Sequence, residues 1–171
     1  MKKRIKMETS LSELMIPRKF FLVTGCGSHR TELGSFEMAL RDAGVERQNF
    51  VPVSSIIPPG CRLIDENEGR SLLRPGEITF CVMSRNSSCR EGEHISASLS
   101  YVIPEDEERS GYLFEYHGNE RDPEEARRKA IELAEDLCAG LYDCELKIGA
   151  VGISSEVREW TTVLALAVFI L

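Results

Sequence analysis

The chain has 171 residues, a formal charge of -7 at neutral pH and 42% hydrophobic residues. That length and apolar content specify one domain with a real core, not a disordered or fibrous chain. The acidic balance argues against nucleic acid as the main partner and is compatible with a small cationic substrate.

Met1 to Lys6 is basic, but no apolar run follows, so no secretory leader is expected. Residues 1–18 are polar and aperiodic and read as a loosely held arm with a role in assembly. Six cysteines without a Cys-x-x-Cys spacing read as reduced structural thiols of a cytoplasmic protein. Lys19 to Thr24 is a short buried strand. Gly25-Cys26-Gly27-Ser28 then reads as a strand-to-helix turn; a dinucleotide fingerprint fails because Arg30 stands where its third glycine belongs. Leu33, Phe36, Leu40 and Ala43 recur at helical spacing, with Thr31 or Ser35 as cap and Gly44 as terminator. Glu37, beside Phe36, reads alone as a solvated helix residue.

Asn49 to Val53 is the next strand, and Pro52 makes it an edge or irregular one. It leads into Val53-Ser54-Ser55-Ile56-Ile57-Pro58-Pro59-Gly60. Pro58 restricts Ile57, and each proline fixes its own φ, so the Ser-Ser bond lies between two stiff segments. A serine hydroxyl placed there is able to attack the preceding carbonyl if geometry weakens the amide resonance. The plain reading is a strand end and a Pro-Gly turn.

Cys61 to Arg74 reads as a surface loop or short helix, Pro75-Gly76 as a turn, Glu77 to Met83 as a strand and Ser84 to Glu93 as a polar loop. His94 to Ile103 alternates: Ile95, Ala97, Leu99, Tyr101 and Ile103 face one way, Ser96, Ser98 and Ser100 the other, as in a half-buried strand. Gly111 to Gly118 is another strand, with Leu113, Glu115 and His117 on one face; Glu115 alone reads as an edge residue facing water. Asp122-Pro123-Glu124-Glu125 starts a helix with an apolar stripe of Ala126, Ala130, Leu133, Ala134, Leu137 and Leu141. Cys144 to Ile153 and Thr161 to Leu171, opened by Trp160, are the last strands. The apolar run Val163 to Leu171 is far shorter than the ~20 residues of a membrane helix. The pattern is α+β and layered. His29, His94, His117 and Cys26 match no zinc spacing, and no Gly-x-Ser-x-Gly elbow is present.

Val53-Ser54-Ser55-Ile56-Ile57-Pro58-Pro59 resembles the self-processing site of the pyruvoyl-dependent arginine decarboxylases. Phe36-Glu37-x-x-Leu40-x-x-Ala43-Gly44, Asn49 and Glu115-Tyr116 extend the likeness. The resemblance implies an α-β-β-α sandwich of mainly antiparallel strands, assembled as a homotrimer or a dimer of trimers with active sites between subunits. It implies one domain, 1–171, cut by serinolysis into residues 1–54 and 55–171. Ser55 becomes a covalent pyruvoyl group, Ser54 is its partner at the cut, and neither pyridoxal phosphate nor a metal is needed. Glu115, partly buried among rings, donates a proton; Asn49 serves processing or substrate positioning; Glu37, where relatives also have Asp, and Leu40 bind the substrate. The implied reaction is arginine to agmatine and carbon dioxide. Two other readings stay open: an uncleaved structural or regulatory member, and a decarboxylase of another amino acid such as histidine.

Overall fold

The computed structural model describes residues 11–171. In chain order its elements are α1 (Leu11–Leu14), β1 (Lys19–His29), α2 (Glu32–Asp42), β2 (Asn49–Pro52), β3 (Ile56–Ile57), β4 (Arg62–Leu63) and α3 (Glu66–Leu72). There follow β5 (Ile78–Ser88), β6 (His94–Pro104), β7 (Gly111–Gly118), α4 (Pro123–Cys138), β8 (Leu146–Glu156) and β9 (Trp160–Ile170). One sheet has the order β2-β5-β9-β1-β4 and the other β3-β7-β6-β8. All pairings are antiparallel except β1 with β4 and β2 with β5. Helix α2 covers the first sheet and α4 the second, which gives the expected helix–sheet–sheet–helix stack.

The most apolar strand takes the middle. β9 pairs with β1 through eleven positions, from Lys19↔Ile170 to His29↔Trp160, and with β5 on its other edge. Its two faces alternate, as the pleat requires. Leu164, Leu166 and Val168 join Phe21 and Val23 beneath α2. Ala165, Ala167 and Phe169 join Phe20, Val82, Leu99 and Leu113 between the sheets. Each fully buried Leu or Phe contributes about 1.5–3 kcal/mol.

Several expectations need correcting. Gly25 to Ser28 continues β1 instead of turning into a helix. A Cβ at Gly25 would lie 2.1 Å from the Ala39 carbonyl oxygen, and one at Gly27 would lie 2.3 Å from the Ala39 nitrogen. The glycines therefore let α2 lie directly on the strand. Thr31 caps that helix by accepting from the Gly34 N–H, and Gly44, at φ +70°, follows its end. Leu33, placed on the apolar stripe by spacing, is 77% exposed.

Ser84 to Ser88 is not loop but the second half of β5. Its polar side chains have partners: Ser84 Oγ donates to Tyr116 O (2.6 Å), and Asn86 Nδ2 donates to Gly118 O (2.8 Å). β6 is buried on both faces, not half-buried, because Ser96, Ser98 and Ser100 lie under α4 and its flanks. Their small size admits a close helix, and Ser100 Oγ donates to Ala130 O at 2.8 Å. The buried stripe of α4 is Ala126, Ala130, Ala134 and Cys138, while Leu137 and Leu141 are exposed.

In the expected arm, residues 1–10 lie outside the described residues. Leu11–Leu14 forms a single helical turn, and Arg18 is already tied into the first sheet through Ile170 O (2.9 Å). Among the described residues no helix is long and apolar enough to cross a membrane.

Candidate active site

The two serines lie where the chain changes sheets. β2 is the edge strand of one sheet, as Pro52 led us to expect, and β3 is the edge strand of the other. Val53 N–H donates to Cys81 O (2.9 Å), the last bond to the first sheet. Leu113 N–H donates to Ser55 O (2.9 Å), the first bond to the second. Beyond it Ile56 and Ile57 pair with Tyr112 and Gly111, Ile57 is buried, and Pro58 ends the strand. The Ser54–Ser55 peptide bond bridges this gap.

Ser55 is half-buried and Ser54 exposed. Ser55 Oγ donates to Glu115 Oε2 at 3.1 Å. Ile56 N–H donates to Ser54 O at 2.9 Å, closing a three-residue turn centred on Ser55. Among the described residues none other than glycine has a positive φ, so this is an inverse γ-turn. Among the described residues, neither the Ser54 nor the Ser55 amide nitrogen donates a hydrogen bond. On the Ser54 side an apolar cavity of about 280 Å³ opens between Met15, Pro17, Val53, Ile56, Phe80 and Phe169.

Glu115 reaches Ser55 because it shares the face of Leu113, past the end of the short β3. It is exposed, not partly buried among rings as expected. The strand alternates, so Tyr112 and Phe114 stack on each other (5.9 Å) on the opposite, α4-facing side. Behind β7 on that side is a cluster that no pattern in the sequence announced. Glu120, 8% exposed, accepts from Tyr116 Oη (2.7 Å), from Lys129 Nζ (2.6 Å) and from Ser96 Oγ. Burial pushes its carboxyl up, but the hydrogen bonds from Lys129, Ser96 and Tyr116 outweigh it and hold the group at about 2. Burial, together with the Glu120 carboxylate, raises the Tyr116 hydroxyl. Glu120 sits alone in a polar loop, and only its three-dimensional neighbours mark it.

The remaining predicted residues stand elsewhere on the chain. Glu37 accepts from Arg41 Nε at 3.0 Å on α2. Leu40 is buried in the core beneath that helix. Asn49 Nδ2 donates to Gly76 O at 2.8 Å, tying the start of β2 to the turn before β5. No hydrogen bond or ion pair among the described residues joins these three to Ser54, Ser55 or Glu115. No group of three or more His, Cys, Asp or Glu side chains among the described residues is arranged to hold a metal ion.

The chemistry available is therefore a hydroxyl next to the carbonyl it would attack, a carboxylate to take its proton, and an N–H already on the carbonyl oxygen. A carbonyl-bearing group built from residue 55 fits the same frame. The bond from Leu113 N–H to the residue-55 carbonyl does not involve the amide nitrogen that a cut would release, and Glu115 stands beside the side chain.

The chain is similar to known proteins over most of its length. A family model described as pyruvoyl-dependent arginine decarboxylase matches residues 19–171. Pyruvoyl-dependent arginine decarboxylase 2 of Archaeoglobus fulgidus is 45% identical over 157 residues, covering 92% of this chain and 99% of its own. Pyruvoyl-dependent arginine decarboxylase 1 of Methanosarcina acetivorans is 42% identical over 161 residues, covering 92% and 98%. Pyruvoyl-dependent arginine decarboxylase 1 of A. fulgidus is 44% identical over 158 residues, covering 92% and 100%.

Proposed function

Since this chain belongs to the pyruvoyl-dependent arginine decarboxylase family, we propose that it converts arginine to agmatine and carbon dioxide after cutting itself between Ser54 and Ser55. The observation that carries this reading is the hydrogen bond from Ser55 Oγ to Glu115 Oε2.

In the cutting step, Ser55 Oγ adds to the Ser54 carbonyl carbon while its proton passes to Glu115. The C–N bond then breaks, and the Ser55 nitrogen takes that proton. The resulting ester loses the α-proton of residue 55, and the Ser54 carboxylate departs. This leaves dehydroalanine at position 55. Addition of water and loss of ammonia give the ketone. Cutting separates residues 1–54 from residues 55–171 covalently, yet β1 stays clamped to β9 along its whole length.

A pyruvoyl ketone supplies an electron sink for the charge left when carbon dioxide departs. The chain's own residues do the rest. Glu115, freed from its bond to the Ser55 hydroxyl, delivers a proton to the substrate α-carbon. Asn49 is a positioning residue that holds β2, and through it the cut segment. Glu37 receives the substrate guanidinium in a charge-assisted contact, and Leu40 packs behind it. Because Glu37 has no link to Ser55 within one chain, it serves the site of a neighbouring copy in a trimer or a pair of trimers. Exposed Val51, Val53 and Ile56 beside the serines, and Leu33 on α2, offer apolar surface for that assembly. Reduced thiols on Cys26, Cys61, Cys81, Cys89, Cys138 and Cys144 accord with a cytoplasmic enzyme.

The test is to supply the purified chain with arginine, histidine or aspartate and measure carbon dioxide and amine. Equal yields of agmatine and carbon dioxide from arginine are expected. Faster release from histidine would reassign the substrate, and no release from any of them would end the decarboxylase reading.

A further inference from the structure

We propose that the main-chain N–H of Ile56 is the oxyanion donor of the cutting step. This rests on the reading that the chain cuts itself between Ser54 and Ser55. When Ser55 Oγ adds to the Ser54 carbonyl carbon, one electron pair of the C=O bond moves onto the Ser54 oxygen. The group already on that oxygen is Ile56 N–H, at 2.9 Å. A donor fixed where charge develops stabilises it without reorganisation. As the tetrahedral centre collapses, the C=O bond reforms and the C–N bond breaks. The proton held by Glu115 then moves to the leaving nitrogen.

Three observations fix this donor. Asn49, the side chain expected to serve processing or substrate positioning, spends its amide on Gly76 O, 2.8 Å away. Ile56 is held on both sides, by Leu113 N–H on the Ser55 carbonyl and by the pairing of Ile56 and Ile57 with β7. Ile57 is buried, and Pro58 limits the backbone before it, so the segment does not swing. The inverse γ-turn thus bends the chain at Ser55 and places a donor on the bond Ser55 attacks.

The decisive variant replaces Ile56 with its α-hydroxy acid, an ester that deletes the N–H and keeps the side chain. The conversion of full-length chain to fragments is followed by mass under denaturing conditions. Scission slowed about 100- to 1000-fold is expected, the usual loss for one oxyanion donor. The same ester replacement at exposed Glu107, in the loop between β6 and β7, should cut at the parent rate. An Ile56 ester that also cuts at the parent rate overturns the proposal. If that variant does not fold, amide hydrogen exchange in the full-length Ser55→Ala chain decides. Protection of the Ile56 amide supports the bond to Ser54, and exchange at the free-peptide rate overturns it. A parent chain that never cuts removes the underlying reading instead, so the two failures are distinguishable.

Discussion

β1 and the Ser54–Ser55 crossover lie within forty residues of each other and are held in opposite ways. β1 is paired with β9 at eleven positions, and its Phe20, Phe21 and Val23 are sealed between layers. The crossover has one bond back to the first sheet, one forward to the second and one inside its own turn. Chain cutting needs an amide whose nitrogen is free to leave, and the crossover supplies one. Survival of the cut needs the two pieces to be joined elsewhere, and β1 supplies that. In the proposed reaction the link that breaks is separate from the frame that holds.

The largest break in this comparison is Ser55→Ala. It should abolish scission while circular dichroism and the unfolding transition stay near the parent's, because the crossover adds little to the frame. Glu115→Gln comes next. It removes the proton acceptor for Ser55 Oγ and should slow scission by about 10²–10⁴-fold, the usual contribution of a general base; fragment accumulation over time measures it. Phe21→Ala attacks the frame instead. Truncating a fully buried Phe should lower unfolding stability by about 3–5 kcal/mol in denaturant titration, with scission continuing wherever the chain stays folded.

The smallest effect concerns Glu120, which braces β7 from behind. Its folded-state carboxyl lies at about 2 against an ordinary 4.5, so its stabilisation is complete above about pH 4.5. It is lost as pH falls toward 2, to a total of about 3 kcal/mol. Glu120→Gln should be less stable at neutral pH and should lack that acid-side loss. An identical acid profile in parent and variant would mean that Glu120 is not held as an ion.

Much of the frame was legible in the sequence. Alternation gave β6 and β7, the Asp122-Pro123 start gave α4, and Pro52 gave an edge strand. The errors share one cause: small and polar residues take their meaning from what packs on them. Gly25 and Gly27 look like a turn until α2 is seen lying on them. Ser84 to Ser88 looks like a loop until each side chain finds its hydrogen-bond partner. The serines of β6 look solvent-facing until α4 covers them. At the site, the resemblance picked out Ser54, Ser55 and Glu115, which the fold brings together across sixty residues. It could not show Ile56 N–H, a main-chain group present in every sequence, nor Glu120, whose partners are remote in the chain.

The most direct measurement is the intact mass of the purified protein under denaturing conditions. Two chains are expected, residues 1–54 and residues 55–171. The longer should be lighter by one ammonia than a chain beginning with serine, and the two should co-elute before denaturation because β1 remains in its sheet. A single uncut chain from folded protein would contradict the central claim, since Ser55 would then carry no ketone and Glu115 would have no reaction to serve.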